Sequence, residues 1–148
     1  MEKTFIRVRS AKDILIFLSL IILGSILIAL PTGAGINIAG FFMIFAGIIV
    51  ALVLRTAYKD TETGVKYSKK EHYFQQSMMA QLNEAIKHNP SSIDLGEEDK
   101  GNAVKLDVYY NKSLGKAYLQ TLEYVPYTYL PCSNVYEYEI EAVEKLIK

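Results

Sequence analysis

The sequence predicts a membrane α-helical hairpin of two transmembrane helices, followed by a small cytoplasmic α+β domain. Three observations support this fold class. Residues 14–54 contain no charged side chain, in a chain of which 22% is charged. The turn-forming residues 31–35 divide this stretch into two apolar runs. The polar remainder carries all eleven tyrosines and shows both helical and alternating apolar patterns.

Composition limits the partners and the compartment. The 148 residues include 16 basic and 16 acidic side chains, so the formal net charge is zero and no nucleic-acid partner is indicated. The single cysteine, Cys132, cannot form an internal disulfide. Small extracellular domains often depend on disulfides, so this favours a reducing compartment.

Residues 1–13 form a basic leader that we expect on the cytoplasmic side. Ile6 and Val8 alternate with Arg7 and Arg9, which indicates a short strand. A disordered basic flank lying on anionic lipid is the alternative.

The apolar runs, residues 14–30 and 36–54, contain 17 and 19 residues and together make a hairpin over residues 14–55. Both lengths suit a membrane span, and the rest of the chain is too small to bury two such helices. A cleaved signal peptide is the rival for the first run. Its apolar length exceeds the usual range, and a small-residue cleavage site is poorly matched.

Lysine and arginine flank the hairpin on both sides and are absent from the turn. Four precede the first span, and Arg55 and Lys59 follow the second. Because positive residues stay on the cytoplasmic side, both termini should be cytoplasmic. We therefore expect a multi-pass protein of the cell inner membrane, with the lipid bilayer as its first partner.

Small residues recur one heptad apart in the second span: Ala39, Gly40, Ala46 and Gly47. Small side chains let helix backbones approach closely in lipid. We favour packing within the hairpin over homo-oligomerisation. Neither span contains an ionisable side chain, so a transporter or pump is not indicated.

After a connector at residues 56–67, the α+β domain is predicted to run from 68 to 148 in the order helix, strand, strand, helix. Ser68 and Glu71 have capping-box spacing, and Phe74, Met78 and Leu82 continue an apolar stripe. The acidic loop at 91–102, which includes Asp99, does not match a calcium-binding loop and is predicted to be a solvated turn.

Alternation predicts strands at 103–110 and 116–125 around a turn at 111–115. The second strand is apolar on both faces, so it should be covered on both or contain a bulge. We expect the leader to supply a third strand that covers the second face. Pro126 and Pro131 confine the intervening residues to an edge strand or extended loop. The final helix is predicted to start at Ser133 or Asn134, with an apolar stripe of Tyr136, Ile140, Val143 and Ile147.

No catalytic, metal or cofactor motif is recognisable. Cys132, His72 and His88 are not spaced as a nucleophile–base pair or as zinc ligands, and the glycines near residue 35 do not match a phosphate-binding loop. Cys132 is more simply a residue at the start of the final helix. We expect no enzyme activity and no cofactor.

Residues 124–132 combine aromatic rings with two prolines and no charge. Rigid aromatics are favoured at protein interfaces, which makes Tyr124, Tyr127, Tyr129 and Leu130 the candidate contact residues. The alternative is that these rings complete a small core.

Together these patterns predict a small integral membrane protein that anchors a non-enzymatic interaction, scaffold or sensor domain, with a protein partner or as a homo-oligomer. One alternative is an oligomerising, membrane-perturbing effector gated by its cytoplasmic domain. Another is a membrane-tethered enzyme completed by a partner.

Overall fold

The computed structural model describes residues 3–98 and 101–148. The chain divides into two compact units. The hairpin unit is Arg7–Ala57, and the sheet unit combines Met1–Ile6 with Tyr58–Lys148.

The hairpin unit contains helices α1 (Ala11–Ala29) and α2 (Ala34–Leu52), each starting slightly before the predicted span. Both are long and apolar enough to cross a membrane. The backbones touch at Gly24 and Gly40, where a Cβ on either residue would lie 2.7 Å from the carbonyl oxygen of the other. Only glycine permits this approach.

An ion pair closes the base of the hairpin. Asp13, in the first turn of α1, accepts hydrogen bonds from Arg55 Nη2 (2.7 Å), Nε (3.0 Å) and the backbone N–H (3.1 Å). Ser10 caps α1, since its Oγ accepts from the Asp13 amide, and its own amide donates to the Arg55 carbonyl. The two chain ends of the hairpin are therefore held together by charge-assisted bonds.

Seven strands form one sheet in the order β1-β2-β3-β4-β5-β6, with β7 also beside β5. The pairs from β2–β3 onward are antiparallel. The strands are β1 Phe5–Arg9, β2 Thr56–Asp60, β3 Lys66–Phe74, β4 Val104–Asn111, β5 Lys116–Val125, β6 Thr128–Pro131 and β7 Tyr136–Glu139.

One face of the sheet, the helix-covered face, packs against α3 (Met79–His88) and the C-terminal α4 (Glu144–Ile147). Apolar side chains with at most 1% exposure form this core because burying them removes apolar area from water. They include Phe74, Leu82, Ile86, Val104, Leu106, Val108, Leu119, Val143 and Leu146.

The opposite face, the tyrosine face, carries a second core of Tyr67, Tyr109 and Tyr118. Phe5 of the leader stacks on Tyr109 with ring centroids 4.1 Å apart. Strand β5 is thus covered on both faces, as its two-sided apolar pattern predicted. The leader does form a strand, but it pairs with β2 and not with the β4–β5 hairpin.

The helix predicted to begin at Ser68 is wrong in its first half. Residues 66–74 are β3, paired with β2 at Tyr67 and with β4 from Ser68 onward. Helical structure begins only with a 3₁₀ turn at Gln76–Met78. Strand β4 pairs with every residue from Ser68 to Phe74, and this pairing overrides the capping-box signal. The predicted connector at 56–67 is likewise mostly β2, a turn and the start of β3.

The predicted C-terminal helix is also wrong over most of its length. Tyr136–Glu139 is strand β7, and helix follows only as a 3₁₀ turn at Ile140–Val143 and the short α4. The order helix, strand, strand, helix is therefore not the observed one, although the α+β layout is.

The β4–β5 hairpin agrees with its prediction, including Gly115 at φ +68° in the turn. The segment bracketed by prolines is the edge strand β6. The acidic loop contains 3₁₀ turns at Pro90–Ser92 and Leu95–Glu97, and Asp99 lies outside the described residues.

Candidate interaction site

The tip of the β5–β6 hairpin, defined as residues 124–130 and called the tyrosine tip, is the most unusual surface of the sheet unit. Val125 pairs with Thr128, so Pro126 and Tyr127 are the two central turn residues. Tyr127 has φ +72°. Proline followed by positive φ is the type II turn, in which the second position normally belongs to glycine or asparagine. A tyrosine there costs about 1–2 kcal/mol of backbone strain.

The tip is exposed as well as strained. Tyr127 is 99% exposed, and Tyr124 and Leu130 are 48% and 50% exposed. No charged side chain occurs between residues 124 and 136. The tip therefore presents apolar and aromatic surface to solvent, and the rings of Tyr124 and Tyr127 do not lie in the core.

Tyr129 is the half-buried member of the predicted set and supports the others. Its hydroxyl donates to the Asn102 carbonyl (2.9 Å), and its ring meets that of Tyr124 edge-on at 5.4 Å. The ammonium of Lys105 lies 4.7 Å from the centre of the Tyr129 ring, a cation–π contact. Burial raises the pKa of Tyr129. This residue fixes the base of the tip.

Beside Tyr129 on the tyrosine face, two lysines and two carboxylates form an ionic cluster. Lys69 Nζ lies 2.9 Å from Glu71 and 3.1 Å from Asp107, and Lys105 Nζ lies 3.5 Å from Asp107. Burial raises the pKa of Asp107. Burial alone would also raise that of Glu71, but hydrogen bonds from Tyr73 and Lys69 lower it. Two ammonium groups face two carboxylates, so the charges within this cluster balance.

The sequence did not predict this cluster because residues 68–74 were expected to be helical. As a strand, Lys69, Glu71 and Tyr73 alternate onto one face, opposite Lys105 and Asp107 in β4. The period of two in a strand places these charges together, but residues 68–72 are all polar and show no apolar alternation that would predict a strand.

The three side chains considered for catalysis each interact with other groups of the chain. His72 is buried between the Glu98 carboxylate and the Leu146 carbonyl. Cys132 contacts the Thr121 hydroxyl, and His88 lies beside Glu84. Within the described ranges, no group of three or more His, Cys, Asp or Glu side chains is arranged to hold a metal ion.

The small residues of α2 separate into two groups. Gly40 and Gly47 are buried against α1, and a Cβ on Gly47 would lie 3.0 Å from the Ile21 side chain. Ala39 and Ala46 are exposed in the hairpin unit. The glycines therefore serve the contact between the two helices, whereas the alanines face outward.

Comparisons with family models, curated proteins and solved structures found no match for this chain.

Proposed function

We propose that this protein is a multi-pass protein of the cell inner membrane that anchors a cytoplasmic, non-enzymatic protein-binding domain, and that the tyrosine tip binds the partner. The observation that carries the proposal is Tyr127. An almost fully exposed aromatic ring in a strained backbone position contributes little to folding, whereas strained residues concentrate at functional sites.

Membrane insertion is supported by the surface of the two apolar helices. Large apolar side chains such as Phe41, Phe42 and Phe45 are 62–71% exposed in the hairpin unit. Soluble proteins rarely leave such continuous apolar surface in water. The flanking lysines and arginines support cytoplasmic termini.

The position of the tip within the sheet unit favours a protein partner over the anchoring lipid. The chain enters and leaves this unit at Ile6 and Tyr58, and Tyr58 pairs with Tyr67 at the start of β3. The tip lies next to the opposite end of strands β3, β4 and β5, where Phe74, Val104 and Glu123 are in register. Seven residues of strand separate these ends by roughly 23 Å, given about 3.3 Å per residue.

The test is site-specific photocrosslinking in the full-length protein in cells. A benzophenone amino acid replaces Tyr127, and a matched control carries it at Leu114, which is 52% exposed in the β4–β5 turn. We expect a discrete protein adduct from position 127 and none from position 114. Lipid adducts alone, or the same adducts from both positions, would overturn the proposal, and an adduct between two copies would identify a homo-oligomer as the partner.

A second variant separates binding from folding. Tyr127→Gly removes the ring and accepts positive φ without strain, so the free energy of unfolding should not fall and should rise by up to about 1 kcal/mol. Loss of an anchoring aromatic should weaken the crosslinked complex by about 30-fold, the equivalent of about 2 kcal/mol. Unchanged binding by a stable Tyr127→Gly protein would contradict the role of the tip.

A further inference from the structure

A polar cleft lies between α3 and the segment that joins β6 to β7. Asn83, Glu84 and Lys87 line it from the helix, and Cys132, Asn134 and Tyr136 from the other side. Its volume is about 520 Å³, and it is open to solvent. None of the tyrosine-tip contacts involves this cleft, so the inference does not depend on the proposed function.

A chain of hydrogen bonds orients the amide of Asn83. The Cys132 thiol donates to Thr121 Oγ1 (3.5 Å), and the hydroxyl of Thr121, which is fully buried, donates to Asn83 Oδ1. The Asn83 oxygen is thereby occupied, which leaves its NH₂ group as the free polar end. Asn83 offers hydrogen-bond donors.

Further donors line the same cleft. Lys87 lies one helical turn after Asn83, and its ammonium has no hydrogen bond or ion pair within residues 3–98 and 101–148. The Tyr136 hydroxyl and the side-chain amide of Asn134 likewise lack partners in that part of the chain. A cleft with several unused donors and an ammonium favours an anionic oxygen ligand.

The charge of the cleft limits the charge of that ligand. Glu84 also lines the cleft, and its carboxylate lies 3.6 Å from His88 Nε2. One ammonium and one carboxylate leave the cleft without net charge, so a doubly charged phosphate is disfavoured, whereas a monoanion needs only the ammonium and the neutral amides.

We propose that this cleft binds a small molecule through a carboxylate group, which Lys87 and the Asn83 amide hold in place.

The single cysteine of the chain makes the proposal testable in the full-length protein in mild detergent. Because Cys132 lines the cleft, a bound molecule should shield its thiol from N-ethylmaleimide. The rate of alkylation is measured by mass spectrometry against propionate, its uncharged analogue propionamide, and inorganic phosphate, all at constant ionic strength.

Propionate should slow alkylation saturably, by about fivefold at a concentration about four times its Kd, because only the unliganded protein reacts. Propionamide and phosphate should give much weaker protection. Lys87→Gln should abolish the protection by propionate. Lys112→Gln, which removes an exposed lysine from the β4–β5 turn, should preserve it.

Equal protection by propionamide, stronger protection by phosphate, or full protection in Lys87→Gln would each overturn the carboxylate site. If the thiol is unreactive in the free protein, the same titrations are followed by the ¹⁵N resonances of the Asn83 and Asn134 side-chain amides. Resonances that do not shift with propionate would then overturn the proposal.

Discussion

At the level of single residues, the buried charge of Asp107 is compensated by neighbouring lysines. Its side chain is 4% exposed, and its Oδ1 accepts no hydrogen bond within the described part of the chain. Lys69 and Lys105 supply the compensating charge. A buried carboxylate is costly unless it is paired, and its burial accordingly raises the pKa of Asp107.

Replacing Lys69 by methionine should therefore destabilise the protein in a pH-dependent way. At pH 8 we expect the free energy of unfolding to fall by about 3 kcal/mol, because Asp107 loses its nearer partner. The folded-state pKa of Asp107 is above its unfolded value and rises further without Lys69. The cost should therefore shrink as pH falls towards 5 and the carboxyl takes up a proton. Urea unfolding followed by tyrosine fluorescence measures both values.

Lys70→Met is the matched control for that substitution. Lys70 is adjacent on β3 but its ammonium donates to the Lys148 carbonyl (3.0 Å), away from Asp107. Its replacement should cost less than about 1 kcal/mol, with no dependence on pH over the same range. An equally pH-independent loss in Lys69→Met would show that Asp107 is not the responsible group.

At the scale of elements, β3 shows why local pattern was insufficient. Ser68 and Glu71 satisfy the capping-box spacing, and Leu82 and Ile86 do lie on a helix. The helix begins later because β2 and β4 take the hydrogen bonds of residues 66–74. Residues 68–74 pair with β4, and residues 75–103 lie between the two strands, so a local window does not contain this pairing.

The sequence of β7 alternates with the period of two that is typical of a strand. Tyr136 and Tyr138 pack against the helix-covered core, whereas Glu137 accepts from the Tyr118 hydroxyl (3.1 Å) on the other face. This alternation was in the sequence, but an equally good helical stripe through Ile140 and Val143 competed with it. Pairing with β5 decided in favour of the strand.

The leader offers an element-scale prediction. Phe5 stacks on Tyr109, and Lys3 Nζ lies 2.5 Å from the buried carboxylate of Asp60. Phe5→Ala should lower the free energy of unfolding by about 2 kcal/mol, since loss of the half-buried ring leaves a cavity against three tyrosines. Ile6→Ala, at a side chain that is 48% exposed, is the control and should cost clearly less. Thermal and urea unfolding of the full-length protein would show the difference.

At the scale of the whole molecule, the connections between strands and helices are short. Ser10 alone separates β1 from α1, and Val53, Leu54 and Arg55 separate α2 from β2. The chain passes between the two units at residues 6–7 and 57–58, which lie within strands β1 and β2.

The orientation of the hairpin is testable by thiol labelling of intact cells. In a Cys132→Ser background, Thr32→Cys in the α1–α2 turn should react with a membrane-impermeant maleimide added outside. Leu114→Cys in the sheet unit should react only after permeabilisation, because the lysines and arginines that flank the spans favour cytoplasmic termini. The reverse pattern would show that the sheet unit faces the opposite side.

Patterns within a few residues are sufficient to predict the two apolar helices, the α+β class, the β4–β5 hairpin, and an edge strand or extended loop at the position of β6. Each depends on a local signal: absence of charge, alternation, glycine in a turn, or a pair of prolines. The strained position of Tyr127 is set by the tight turn between β5 and β6. The strands at residues 68–74 and 136–139, and the packing of Phe5 in the tyrosine core, become clear only in the folded chain. They follow from hydrogen bonds and packing between segments far apart in the sequence, which a local pattern does not contain.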